Sequence, residues 1–151
     1  MAIELPTLTR ESIIQRLRDA GHKVTPQRLT ICEFIMNRKD HPNAERVFDE
    51  IKKIHPAISR ATIYNTLHVM RDVGLVQELG FDDGTTRYEP DIEFHINQVC
   101  QACGKISDIK DRDVESAWHH MLASNSIKPK GQRLDVYYEC DACKARRHKD
   151  T

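Results

Sequence analysis

Apolar positions recur every three or four residues through the first half of the chain, and every second residue through short stretches beyond it. Helices are therefore expected first and strands later. Thr9 can cap a helix with Ile13, Ile14 and Leu17 as its apolar positions, ending at Gly21. Thr25 followed by Pro26 starts a second helix, because proline is pre-set for the first helical position. That helix runs to about Asn37, with Leu29, Cys32 and Met36 near one face. His41-Pro42-Asn43 breaks the chain, and Asn43 caps a third helix whose buried stripe is Ala44, Val47, Phe48, Ile51 and Ile54. Ser59 caps a fourth, from Arg60 to about Val73, with Ile63, Leu67 and Met70 inward and Gly74 closing it. Residues 75–79 alternate like a strand, Asp82-Asp83-Gly84 turns, and residues 85–89 return. Helices followed by a hairpin predict a winged helix over residues 1–89.

Pro90-Asp91 reads as a hinge into a second part, residues 90–151. There the pattern predicts a strand over 94–99 and its hairpin partner over 105–109. A helix capped by Asp111 follows, with Val114, Ala117, Trp118, Met121 and Leu122 on one side. The last strand covers 133–138, after the Lys128-Pro129-Lys130-Gly131 turn. Residues 144–151 are polar and predict a frayed tail. The expected fold class is α+β: an N-terminal winged-helix DNA-binding domain and a small C-terminal α+β dimerisation domain. One helix and a few strands bury too little to stand alone, so two copies are expected to pair, with a metal stiffening each.

The metal comes from the cysteines. Cys100 and Cys103 form one Cys-x-x-Cys turn, and Cys140 and Cys143 a second, 36 residues further on. Four thiolates from two such turns make a closed tetrahedral cage suited to zinc. A redox dithiol or a disulfide pair uses the same spacing and is the competing reading. The 36 intervening residues exceed what a simple zinc ribbon needs, so they are expected to hold structure of their own. The fifth cysteine, Cys32, lies on an apolar helical stretch and reads as a buried small hydrophobe. An odd cysteine count fits a reducing compartment. No apolar run reaches membrane-spanning length, and the amino terminus lacks the basic-then-apolar layout of a secretory signal. The expectation is a cytoplasmic protein with no membrane partner. A zinc hydrolase is disfavoured, because the cage is closed and no His-Glu-x-x-His helix occurs.

Formal net charge is zero, which does not by itself advertise nucleic acid. Positive charge must then be gathered locally if DNA is bound. The fourth helix is the candidate reader. Arg60, Thr62, Tyr64, Asn65 and His68 are expected on its outer side, with Arg60 able to meet phosphate or guanine and Tyr64 a thymine methyl. A merely solvated helix face is the plainer reading. Histidines and carboxylates, His41, Glu89, Asp91, Glu93, His95 and Asp108, are expected to cluster around the domain junction, and His95 and Asn97 point the same way along a strand. Singly each is an ordinary turn, surface or edge-strand residue. Together they offer nitrogen and oxygen without thiolate, which suits iron(II), manganese(II) or zinc. An ion there would fix the angle between the domains and select a DNA-competent arrangement.

Ordered along the chain, Val24-Thr25-Pro26-Gln27-Arg28, His41-Pro42-Asn43-Ala44, Ser59 through Leu67, Gly74-Leu75-Val76, His95, Cys100-Gln101-Ala102-Cys103-Gly104-Lys105 and Cys140-Asp141-Ala142-Cys143 resemble the ferric uptake regulator (Fur) family over nearly the whole length. The resemblance implies a homodimeric winged-helix repressor of double-stranded operator DNA, with a structural Zn2+ on the four cysteines and a regulatory metal at the hinge. The chain looks most like the peroxide-sensing PerR branch. Asp108 stands where iron-uptake regulators usually carry Glu, and Asn65 where they usually carry Arg. By family position the regulatory ligands are His41, Glu89, His95, Asn97 and Asp108, holding Fe2+ or Mn2+, with Zn2+ as a further option. Glu89 replaces an Asp and Asn97 a His of the usual PerR pattern. The branch implies that peroxide acts on the iron form and oxidises His41 or His95, whereupon the ion and the operator are lost. An iron- or zinc-uptake regulator of the same family, and a thiol-redox switch built on the four cysteines, are the alternatives.

Overall fold

Four helices with side-chain caps fill the first part of the chain in a computed structural model that describes residues 8–81 and 84–149. They are α1 (Arg10–Asp19), α2 (Pro26–Met36), α3 (Ala44–Ile54) and α4 (Arg60–Asp72). The caps expected from sequence are formed. Thr9, Thr25, Asn43 and Ser59 accept from the backbone N–H of Ser12, Arg28, Arg46 and Thr62, which satisfies donors the helix itself cannot. Two of these helices end on a glycine in the left-handed region, Gly21 at φ 79° and Gly74 at φ 73°. The chain then folds back, with His22 N donating to Leu17 O and Leu75 N to Met70 O, as a Schellman-type end requires.

The strand expected from residue 75 starts later for that reason. The amides of Leu75 and Val76 both bond to Met70 O, so β1 covers Gln77–Gly80 and pairs antiparallel with β2, Thr86–Glu89. Asp82 and Asp83 of the expected turn lie outside the described residues. The core of this part joins Leu17, Ile31, Ile35, Val47, Ile51, Ile63, Leu67 and Met70, each without solvent exposure. Each such side chain contributes about 1.5–3 kcal/mol by leaving water. Cys32 sits among them, and burial pushes its thiol up to about 12, as fits an inert small hydrophobe. Ile54 departs from expectation. It is 66% exposed, because the buried stripe of α3 stops at Ile51 and the last turn adds nothing to the core. The order α1–α4 then β1–β2 is a winged helix.

The chain divides between Ile92 and Glu93 into two compact units. The second holds β3 (Ile96–Cys100), β4 (Ile106–Ile109), α5 (Arg112–Ser124), β5 (Asp135–Tyr138) and α6 (Asp141–Lys149). Its sheet runs β4-β3-β5, with β3 antiparallel to β4 and parallel to β5. Asp111 caps α5 by accepting from Asp113 N and Val114 N. Trp118 of α5 lies 5.8 Å from the Phe94 ring and donates its indole N–H to Gln132 at 2.6 Å. The expected frayed tail is instead the helix α6. Its first turn grows from the second cysteine turn, where Cys140 O accepts from both Cys143 N and Lys144 N, and the alanines and basic residues that follow favour helix. Among the described residues, no helix is long and apolar enough to cross a membrane.

Candidate metal centre

The four thiols come together because both Cys-x-x-Cys turns leave the same sheet. Cys100 ends β3, and Cys140 follows β5, which pairs with β3 through Cys100 and Tyr138. Cys100 Sγ lies 3.9 Å from Cys143 Sγ, and Cys103 Sγ lies 3.9 Å from Cys140 Sγ. All four cysteines are free thiols, and their sulfurs lie within 4.8 Å of one another. A tetrahedron with zinc–sulfur bonds of about 2.3 Å has edges of about 3.8 Å, so the cage has zinc dimensions. The distances are far longer than the bond of a disulfide. The surroundings act differently on the thiols. Cys140 N donates to Cys100 Sγ at 3.3 Å, which pulls the Cys100 thiol down from its ordinary value. Cys143 is pushed up by hydrogen bonding to the Cys140 thiol, while Arg146 donates to its sulfur at 3.3 Å and works the other way.

A second set of donors occurs in two parts, one in each unit. In the first, Tyr88 N donates to Pro42 O at 3.0 Å and Arg87 Nη1 to His41 O at 3.3 Å, tying the loop before α3 to β2. This brings His41 Nε2 against Glu89 Oε2, both side chains being buried. The other Glu89 oxygen accepts from Asp91 N at 2.8 Å. His41 itself stands at φ 49°, in the left-handed region that few residues adopt. Strain of that kind persists where the surroundings over-determine it. Here Arg38 binds Asp40 and Glu50 at once, at 2.5–3.1 Å, and Arg46 binds both carboxylates as well. The residue next to His41 is thereby fixed.

In the second unit, His95 and Asn97 lie on one face of the strand region, and Asp108 on β4 is the register partner of Asn97. His95 Nδ1 lies 2.9 Å from Glu93 O, so it is the protonated nitrogen, and Nε2 keeps its lone pair for a ligand. That Nε2 lies 3.1 Å from Asn97 Oδ1 and 4.0 Å from Asp108 Oδ1. Nitrogen and oxygen donors without thiolate suit iron(II) or manganese(II).

On α4, Arg60, Tyr64, Asn65 and His68 are exposed. Thr62 is half-buried, with its hydroxyl 2.9 Å from Ser59 Oγ, so it is partly spent on the helix cap. A partner missed in the sequence is Glu45 of α3. It accepts from Arg60 Nε at 3.2 Å and from the Tyr64 hydroxyl at 3.3 Å. Nothing local in the sequence announces that link between two helices. Tyr64 and His68 also line a cleft of about 370 Å3 with Asn43, Glu78, Thr85 and Tyr88.

A winged helix followed by a small sheet unit with a four-thiol cage and a nitrogen–oxygen donor set defines a class, the winged-helix metalloproteins. Residues 19–137 match the model of the ferric uptake regulator family. The chain belongs to that family. It is 32% identical over 148 residues to the peroxide-responsive repressor PerR of Staphylococcus aureus (strain USA300), covering 95% of this chain and 98% of that protein. Among solved structures, the Campylobacter jejuni peroxide stress regulator is 33% identical, with a TM-score of 0.70 and coverage of 87% of this chain and 98% of that one. The ferric uptake regulator of Pseudomonas aeruginosa with manganese is 25% identical, with a TM-score of 0.74 and coverage of 85% and 97%.

Proposed function

We propose that the protein is a cytoplasmic, homodimeric, metal-dependent transcriptional repressor that senses peroxide through a regulatory metal site. The observation that carries this is a pair of incomplete donor sets, His41 with Glu89 in the first unit and His95, Asn97 and Asp108 in the second. Neither set alone satisfies a first-row ion that takes about six nitrogen and oxygen ligands. An ion drawing on both binds only one relative placement of the units, and so stabilises it by differential affinity. That placement lets α4 enter the major groove of operator DNA. Arg60 takes phosphate or a guanine edge, Tyr64 and Asn65 reach base edges, and Thr62 and His68 flank them.

Zinc fits the four-thiol cage and holds the second unit together. Val136 and Tyr137 on the edge strand β5, and Val114 and Met121 on α5, are exposed apolar groups that a second copy covers. Iron(II), when bound, supplies the reducing equivalents that activate peroxide beside its ligands. His41 and His95 would help hold that ion, and each offers an imidazole C–H at which one peroxide oxygen can be inserted while the other leaves as water; the oxidised ring would be a poorer nitrogen donor and the site would hold its ion less tightly. The family membership and the peroxide-responsive relatives support this reading.

The test is a DNA-binding titration with manganese, iron and zinc in turn, followed by peroxide on each complex. The expected result is release of DNA from the iron complex, one oxygen atom gained on a peptide carrying His41 or His95, and zinc retained. Equal DNA binding by protein stripped of exchangeable metal refutes the reading. Because Cys103 is exposed, a thiol switch is the competing mechanism, and it predicts zinc loss and thiol loss instead. Peroxide indifference with metal-dependent DNA binding points to an iron- or zinc-uptake regulator.

A further inference from the structure

Asn97 occupies the central strand, with Asp108 as its register partner on β4 and Asp135 as its register partner on β5. Register partners share a face, so carboxylate, amide and carboxylate form one row across the sheet. The two acids keep different company. Arg133 Nε donates to Asp135 at 3.0 and 2.8 Å, its terminal nitrogen lies at 2.7 Å, and the Tyr137 hydroxyl donates at 3.1 Å. Burial opposes the charge on Asp135, but Arg133 and Asn97 outweigh it and hold the carboxyl below its usual range. Asp108 instead has His95 Nε2 at 4.0 Å.

Asn97 Nδ2 donates to Asp135 Oδ1 at 3.0 Å. A carboxylate can only accept, so the NH2 end of the amide must face Asp135. The oxygen end is then turned to His95, 3.1 Å away. The two ends of an amide are nearly the same shape. Without a dedicated acceptor, the NH2 end could face the donor set and repel a cation.

We propose that Asp135 is the positioning residue that makes Asn97 an oxygen donor to a divalent ion, with Arg133 and Tyr137 holding Asp135 in turn. The inference rests on the metal-site reading above. It assigns position 97 a role that an imidazole would fill differently: an oriented oxygen beside a histidine and an aspartate, which favours manganese(II) or iron(II) over softer ions.

The test uses the full-length, zinc-loaded protein and manganese(II) as the probe. Asp135→Ala is expected to weaken manganese binding by about 10-fold or more, the usual effect of removing a ligand's orienting partner. Asp135→Asn keeps the shape and one acceptor oxygen, and its loss is expected to fall between wild type and alanine. In an Asn97→Ala background, Asp135→Ala is expected to cost nothing further, because its route of action is gone. In the zinc-loaded protein without manganese, the Asn97 side-chain amide protons are expected to exchange with water faster in both Asp135 variants than in wild type. Unchanged manganese affinity in the variants, or an equal loss with and without Asn97, overturns the proposal alone. A wild type that binds no manganese sinks the metal-site reading and the proposal with it.

Discussion

Removing the second cysteine pair, by the double substitution Cys140→Ser and Cys143→Ser, should unfold the second unit while leaving the winged helix intact. The cage joins Cys103 to Cys140, 37 positions apart. Closing a loop of that length removes about 4 kcal/mol of unfolded-state entropy. A unit of about 60 residues is stable by only about 3–9 kcal/mol in total. Its apolar core is small: among the described residues, Phe94, Ile96, Val99, Ile106 and Leu122 are the buried apolar side chains apart from the cysteines themselves. The cross-link therefore accounts for a large share of what keeps β3, β4 and β5 together. Hydrogen exchange followed by NMR reads this directly. Amides of the three strands should lose about a thousandfold of protection, 1.4 kcal/mol being tenfold, while those of α2 and α4 change little. Strand protection within tenfold of the zinc-loaded protein would refute the argument.

Arg38→Ala should destabilise the first unit by about 1–2 kcal/mol, since it takes from two partly buried carboxylates the closer of their two arginine donors and leaves them only Arg46; urea denaturation measures it, and weaker manganese binding should accompany it because His41 loses its fixed neighbour. Asp40 and Glu50 are held below the usual carboxylate range, in both cases first by hydrogen bonds from Arg38. Their contribution is therefore present above about pH 4, the unfolded range, and is lost as pH falls through the folded values. An acid titration of stability should show that loss in wild type and a flatter profile in Arg38→Ala. Ser59→Ala removes the cap of α4 and should cost about 1 kcal/mol in a thermal melt.

The four helix caps were legible in the sequence because capping is local: the side chain reaches only three residues along. The two cysteine turns were legible for the same reason, each being a four-residue signal repeated once. What failed were features set by distant partners. Ile54 carries the right periodicity, but the core of the first unit ends before it. Helix α6 was hidden because its start depends on the carbonyl of Cys140, which the cysteine turn presents, rather than on a capping side chain. The pairing of Asn97 with Asp135 depends on strand register, and a parallel partner 38 positions away leaves no mark on either neighbourhood. The pairing of His41 with Glu89 was expected by family position; the bonds that bring it about, Tyr88 N to Pro42 O and Arg87 Nη1 to His41 O, are ones on which side-chain patterning is silent.

Glu45 has a kinetic corollary. It engages the guanidinium of Arg60 and the hydroxyl of Tyr64, and Arg60 also rests 4.3 Å from the Phe48 ring centre. A chain of zero net charge, with its leading arginine already neutralised from within, has little long-range pull on an arbitrary polyanion. On the reading proposed for α4, time lost to loitering on irrelevant chromosome would be shortened. On that reading, commitment waits for a site whose phosphates and bases outbid one glutamate.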